Sequence, residues 1–164
     1  MQSTVYIETS VVSYLISNPS RDLVTAGHQQ ITREWWLSHL PKFRAYISEL
    51  VFREASGGDQ TAAKKRLDAI KDFPMLELTE DVLELAESFI KKGPIPKNSI
   101  EDALHIAIAT NHGIDYLVTW NCAHIANAQM RMKIAQICRE FGYECPTTCT
   151  TEELMGGSWH GTQR

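Results

Sequence analysis

The sequence predicts an α/β protein layered on a mainly parallel sheet, and three observations carry that expectation. Short β-rich runs alternate with longer segments of helical periodicity, the order expected of strands joined by helices. The runs at 4–7 and 115–119 are strongly apolar, as buried strands are. A chain of 164 residues without an internal repeat favours one domain with a substantial core.

Along the chain, Thr4-Val5-Tyr6-Ile7 reads as a short buried strand, followed by Glu8-Thr9-Ser10 and another apolar run. Leu23, Ile31 and Trp35 recur at helical spacing with Gly27 between them, so a helix is expected over 22–40. Residues 43–48 fit a second strand, and 49–56 a short helix that Gly57-Gly58 stops. Residues 59–73 are rich in helix formers, and 74–79 form a third strand after Pro74. The segment 80–92 is amphipathic and ends at Gly93-Pro94. A helix bounded by Ser99 and Gly113 precedes a fourth strand at 115–119. A last long helix at 127–142 and a short edge strand at 147–150 complete the order. The domain is expected to span 1–150. Residues 151–164, ending in the polar, glycine-rich "GGSWHGTQR", are expected to be a disordered tail.

Composition narrows the function classes. Hydrophobic residues make up 43% and charged residues 22%, ordinary values for a soluble globular protein. The N-terminus lacks the basic and apolar regions of a secretory signal, and "ALHIAIA" is too short to span a bilayer. Cys122, Cys138, Cys145 and Cys149 form no CxxC pair and no zinc-type spacing. Free thiols in a reducing cytoplasm are therefore expected, with no membrane association. The formal net charge of −4 gives no general basic field for nucleic acid. A polyanionic partner would have to be met by local chemistry.

Four side chains stand out. Glu8 ends a buried strand, where an ionised carboxylate is costly unless a cation or donors meet it. Asn121 lies just beyond the other strongly apolar strand. In open parallel sheets, functional residues gather beyond the carboxyl ends of the strands, although either residue alone also suits a turn or cap. Asp102 follows Ser99 in "SIED", a capping-box pattern that also puts the carboxylate in the first helical turn. Glu54 closes a short helix, where the macrodipole disfavours a negative charge unless something compensates it. Glu49, at that helix's start, is well placed for the dipole. His105 lies one turn from Asp102 on the same face and suits either core packing or a supporting contact to a site. Lys64-Lys65-Arg66 reads as a solvated helix face, while Arg21 and Lys97 sit in loops where phosphate contact is conceivable. Trp35 and Trp36 point about 100° apart on a helix, so one is core. The other fits core edge, a dimer contact or a contact with a partner protein. Cys122 and His124 form C-x-H, which without further ligands is not a zinc site.

The order of these motifs is an acid with Thr9-Ser10 after the first strand, an acid in "SELVFREAS", an acid in "EDALHIAIA" and a polar residue in "LVTWN". That order resembles the PIN domain, the fold of VapC-type toxins of bacterial toxin–antitoxin pairs, over about residues 4–150. The resemblance implies a three-layer α/β/α PIN-like fold with a mainly parallel sheet of four or five strands. It puts Glu8 in place of the first aspartate, Glu54 in place of the family glutamate, and Asp102 at the opening of the "DA-x-x-x-A" helix. Asn121 falls where the family usually has a fourth acid. Thr9 or Ser10, with Thr119, match small hydroxyl positions that support the ligands. Glu8 is one methylene longer than the usual residue and Asn121 is neutral, so the site should hold its metal more weakly.

The activity so implied is metal-assisted hydrolysis of RNA phosphodiesters with Mg²⁺ or Mn²⁺ as cofactor. Glu8, Glu54 and Asp102 would act as ligands and Asn121 as ligand or water positioner. The cation would relieve repulsion among three carboxylates and present positive charge to phosphate inside an acidic protein. The implied partners are an RNA substrate and a cognate antitoxin. A homodimer is expected through the helix at 22–40 or that at 80–92. Two alternatives remain: a catalytically weakened PIN fold that binds RNA or protein, and a phosphate-binding α/β protein. The second lacks G-x-x-x-x-G-K-[ST] and G-x-G-x-x-G runs.

Overall fold

The computed structural model describes residues 2–156. Five parallel strands form its sheet: β1 (Thr4–Ile7), β2 (Arg44–Ser48), β3 (Met75–Leu76), β4 (Tyr116–Val118) and β5 (Thr147–Cys149). Their order is β3-β2-β1-β4-β5. The chain builds outward from β1 to β3, then crosses over to add β4 on the other side of β1. β1 and β4 therefore flank the topological switch point, where open α/β sheets bind ligands beyond the strand ends.

Seven helices cover the sheet in a three-layer α/β/α arrangement. α1 (Thr9–Ile16), α2 (Leu23–Ser38), α3 (Glu49–Ala55) and α4 (Gln60–Ile70) pack together. α5 (Glu80–Lys91), α6 (Ile100–Asn111) and α7 (Ala128–Glu140) form the second group. Val5, Tyr6, Ile7, Leu117 and Val118 are completely buried, which is why strands β1 and β4 are apolar on both faces. α6 buries Ala103, Ile106, Ala107, Ile108 and Ala109 around much of its circumference, as a central helix must. Its alanines allow close approach to α5.

Several boundaries differ from the sequence expectation. The apolar run after Glu8 is α1, a helix of 8 residues too short for its period to declare itself. The third strand contracts from 74–79 to two residues, because β3 pairs with β2 alone at the sheet edge. The expected tail begins too early. Thr151 is fully buried, Glu152–Leu154 form a 3₁₀ turn and Met155 packs into the core; "GSWHGTQR" lies outside the described residues. The capping box does not form either, since Ser99 makes no side-chain cap to α6. Trp35 is core, and Trp36 is core edge with its ring edge-on to Phe73 at 5.7 Å. All four cysteines are free. No helix among the described residues is long and apolar enough to cross a membrane.

Candidate metal centre

Glu8 leaves β1 in extended conformation and becomes the N-cap of α1, its Oε2 accepting the Ser10 amide at 3.1 Å. Its Oε1 accepts from Ser10 Oγ and from Thr119 Oγ1, both at 2.5 Å. Three protein donors thus meet a carboxylate that is only 7% exposed, which offsets much of its desolvation. Thr119 is placed by β4, and Ser10 also accepts the Trp120 amide at 2.8 Å. The hydroxyls stitch the ends of β1 and β4 together around Glu8.

Glu54 stands in the last turn of α3. Its Oε1 accepts from Thr9 Oγ1 at 2.5 Å and lies 2.8 Å from His105 Nε2. His105 is buried, and the same nitrogen lies 3.9 Å from Glu8 Oε2. Burial alone would lower the imidazole pKa. The bond to Glu54 and the negative charges of Glu8, Glu54 and Asp102 outweigh it and hold the value above 6.5. Burial likewise pushes the Glu54 carboxyl up, but the His105 bond and charge, followed by Thr9 and Arg53, bring it below its ordinary 4.5. His105 thus supplies a compensating partner for a glutamate at a helix C-terminus.

Behind His105, Nδ1 meets the Tyr6 hydroxyl at 2.6 Å, and that hydroxyl meets Ser48 Oγ at 2.7 Å. Ser48 also caps α3 by accepting the Val51 amide. Buried Tyr6 therefore fixes the imidazole ring from the sheet side. Carboxylate and imidazole atoms of Glu8, Glu54 and His105 all lie within 4.8 Å of one another.

Asp102 sits in the first turn of α6 with its two oxygens separately engaged. Oδ1 accepts Asn121 Nδ2 at 2.9 Å, and Oδ2 lies 2.8 Å from His124 Nδ1. Asn121 is oriented in turn, its amide donating to Thr119 Oγ1 and its Oδ1 accepting the His124 amide at 3.0 Å. The carbonyl oxygen expected to face a cation is thus turned into its own loop. Asn121 Nδ2 meets Asp102.

All four sequence candidates lie at the carboxyl edge of the sheet, linked through shared partners. Glu8 and Glu54 meet through His105, and Asp102 joins Asn121. Two histidines complete the arrangement. His105, which by sequence suits either core packing or a supporting contact, is buried and bonded to Glu54. His124, which by sequence forms only a C-x-H pair with Cys122, meets Asp102. Its signal was its position in the loop that carries Asn121.

No family model and no curated protein matches the chain. Two solved structures share its fold. VapC20 of Mycobacterium tuberculosis, described as a sarcin–ricin loop cleaving toxin, superimposes with a TM-score of 0.53 at 19% identity, covering 69% of this chain and 86% of VapC20. VapBC-1 of nontypeable Haemophilus influenzae gives 0.53 at 15% identity, over 91% of this chain and 98% of that one. The fold is that of the VapC structures, the PIN-type architecture that the motif order implies.

Proposed function

We propose that this chain is a metal-dependent endoribonuclease, the toxin of a type II toxin–antitoxin pair, using Mg²⁺ or Mn²⁺. The observation that carries the reading is the Glu8–Glu54–His105 cluster at the switch point, on a fold shared with a toxin described as cleaving the sarcin–ricin loop. The donor set fits a divalent cation. The described hydrogen bonds to Glu8 use three of the roughly four lone-pair sites of a carboxylate. Glu8, Glu54 and Asp102 would hold the cation as oxygen ligands. His105 would add an imidazole nitrogen, a donor that suits Mn²⁺ better than Mg²⁺, only on giving up the proton that Nε2 shares with Glu54. Once bound, the cation supplies charge to a phosphate and a water nucleophile at neutral pH.

The chain's own groups have distinct tasks around that centre. Ser10 and Thr119 hold the Glu8 carboxylate against the sheet edge, and Thr9 fixes Glu54. Tyr6 and Ser48 orient His105 from behind. Asn121 and His124 hold the two oxygens of Asp102, a supporting role that typically matters nearly as much as the ligands. A homodimer is part of the proposal, since Leu23 and Leu37 of α2 are 86% and 77% exposed.

A second reading, a PIN fold that binds RNA or protein without cutting, is favoured by the inward turn of Asn121 Oδ1. Incubating structured RNA with the protein in Mg²⁺, Mn²⁺ or EDTA separates the two. Cleavage in either metal, abolished by EDTA and by Asp102→Ala, is expected. RNA that is bound but left intact in both metals would favour the binding module.

A further inference from the structure

The basic stretch Lys64-Lys65-Arg66, a solvated helix face by sequence, does more than meet solvent. Lys65 and Arg66 of α4, together with Ser17, Asn18, Asp59 and Thr61, line a polar recess of about 170 Å³ beside the end of α1. Arg66 is anchored there. Its Nε donates to the Ala55 carbonyl at 3.0 Å and its Nη2 to the Gly57 carbonyl at 2.6 Å. Ala55 is the last residue of the helix whose last turn carries Glu54, and Gly57 lies just beyond its C-cap, so the recess is tied to the backbone that follows a candidate ligand. From α2, Arg33 Nη2 donates to the Ser17 carbonyl at 3.0 Å and brings a third cation to the same segment.

Among the described residues Arg33, Lys65 and Arg66 take part in no ion pair, as holds for most of this chain's lysines and arginines. The one carboxylate in the lining, Asp59, accepts the Ala62 amide as the N-cap of α4, where its charge complements the helix dipole. What remains is a lysine ammonium, a guanidinium edge and the Thr61 hydroxyl around a small volume, since Ser17 Oγ donates to the Ser13 carbonyl at 2.6 Å.

We propose that this recess is a subsite for a backbone phosphate of single-stranded RNA whose chain passes the Glu8–Glu54–His105 cluster. The inference deepens the ribonuclease reading and rests on it. Lysine as a point charge, arginine and hydroxyl donors are the groups that proteins turn to phosphates. Such contacts set the position of the strand without reading its sequence. The recess thus supplies local positive charge that the acidic chain lacks overall.

The test is equilibrium binding of a fluorescent single-stranded RNA in EDTA across a salt series, with cleavage in Mn²⁺ followed in parallel. Lys65→Gln is expected to weaken binding for every RNA sequence and to reduce the slope of log affinity against log salt by about 0.7. Its melting temperature should match wild type. Lys71→Gln, the same charge change at the other end of α4, should leave the slope alone. Equal slopes for wild type and Lys65→Gln, or equal losses for Lys65→Gln and Lys71→Gln, overturn the subsite even if Mn²⁺-dependent cleavage persists and the ribonuclease reading stands. Lys65-dependent binding without cleavage supports the subsite and overturns the catalytic reading. Absence of RNA binding overturns both. So would capture of a glutamate-rich peptide through Lys65 in preference to RNA, which assigns the recess to a protein partner.

Discussion

Asn121 joins two polar groups with opposite demands: its Nδ2 donates to Asp102, and its Oδ1 accepts from the His124 amide. Asn121→Asp keeps the second bond and turns the first into a contact between carboxylate oxygens at about 2.9 Å. The metal-free protein should lose roughly 1–3 kcal/mol. Added Mn²⁺ should restore more stability to the variant than to wild type, because added ligand charge tightens hard-cation binding. Equal metal-induced shifts in thermal melts would make Asn121 a turn residue only. His124→Ala, which frees the other oxygen of Asp102, should cost about 10- to 100-fold in metal affinity or activity. His105 gives a pH dependence. Its pKa is raised in the folded state, so its stabilisation is complete below 6.5 and lost as pH climbs through the folded value. Glu54, held low, contributes a constant amount in that window. Melting temperatures in EDTA should therefore fall as pH rises from 6.5 through the raised folded value, and His105→Gln should flatten the profile. Glu8 and Glu54 were legible in the sequence because each sat oddly for its element, and Asp102 through the order of motifs. His105 was half legible, from its place one turn beyond Asp102, whereas nothing local marked His124 as a partner of Asp102.

Among the elements, the caps separate what pattern can and cannot decide. Ser99 begins an apparent capping box, yet its side chain makes no cap and the acid three residues on is drawn to Asn121 and His124. Ser48 attracts no attention in sequence. In the fold it caps α3 and meets the Tyr6 hydroxyl while fully buried. Ser99→Ala should change stability by less than about 0.5 kcal/mol, whereas Ser48→Ala should cost about 1–2 kcal/mol. Denaturant melts of the two variants check this, and similar losses would contradict the cap assignment. Strands β1 and β4 were plain from sequence because burial on both faces leaves a continuous apolar run. α1 was not, since a helix of 8 residues between a strand and a loop offers barely two turns of pattern. The register of β3 depends on Ile47 and Ser48 opposite it, a partner that its own two residues do not name.

At the scale of the molecule, parallel order and the crossing between β1 and β4 explain why residues separated by more than a hundred positions share hydrogen bonds. Alternation of strand and helix in the sequence implies that architecture; which strands become neighbours is settled by packing. Exposed leucines on α2 lead to the expectation of a dimer in sedimentation at tens of micromolar protein, with Leu23→Glu plus Leu37→Glu giving monomers. A wild-type monomer under those conditions would remove the dimer. In the proposed function the carboxylate edge, and not its histidines alone, carries the chemistry of RNA hydrolysis. Two imidazoles beside a phosphate could otherwise act as acid and base on the ribose 2′-hydroxyl without a metal. Cleaving a defined RNA in ¹⁸O-labelled water distinguishes the two directly. Hydrolysis at the carboxylate edge should give Mn²⁺-dependent scission, loss of cleavage with Asp102→Ala, and ¹⁸O in the terminal phosphate with no 2′,3′-cyclic ends. Cleavage that persists in EDTA and leaves unlabelled 2′,3′-cyclic phosphates would contradict it.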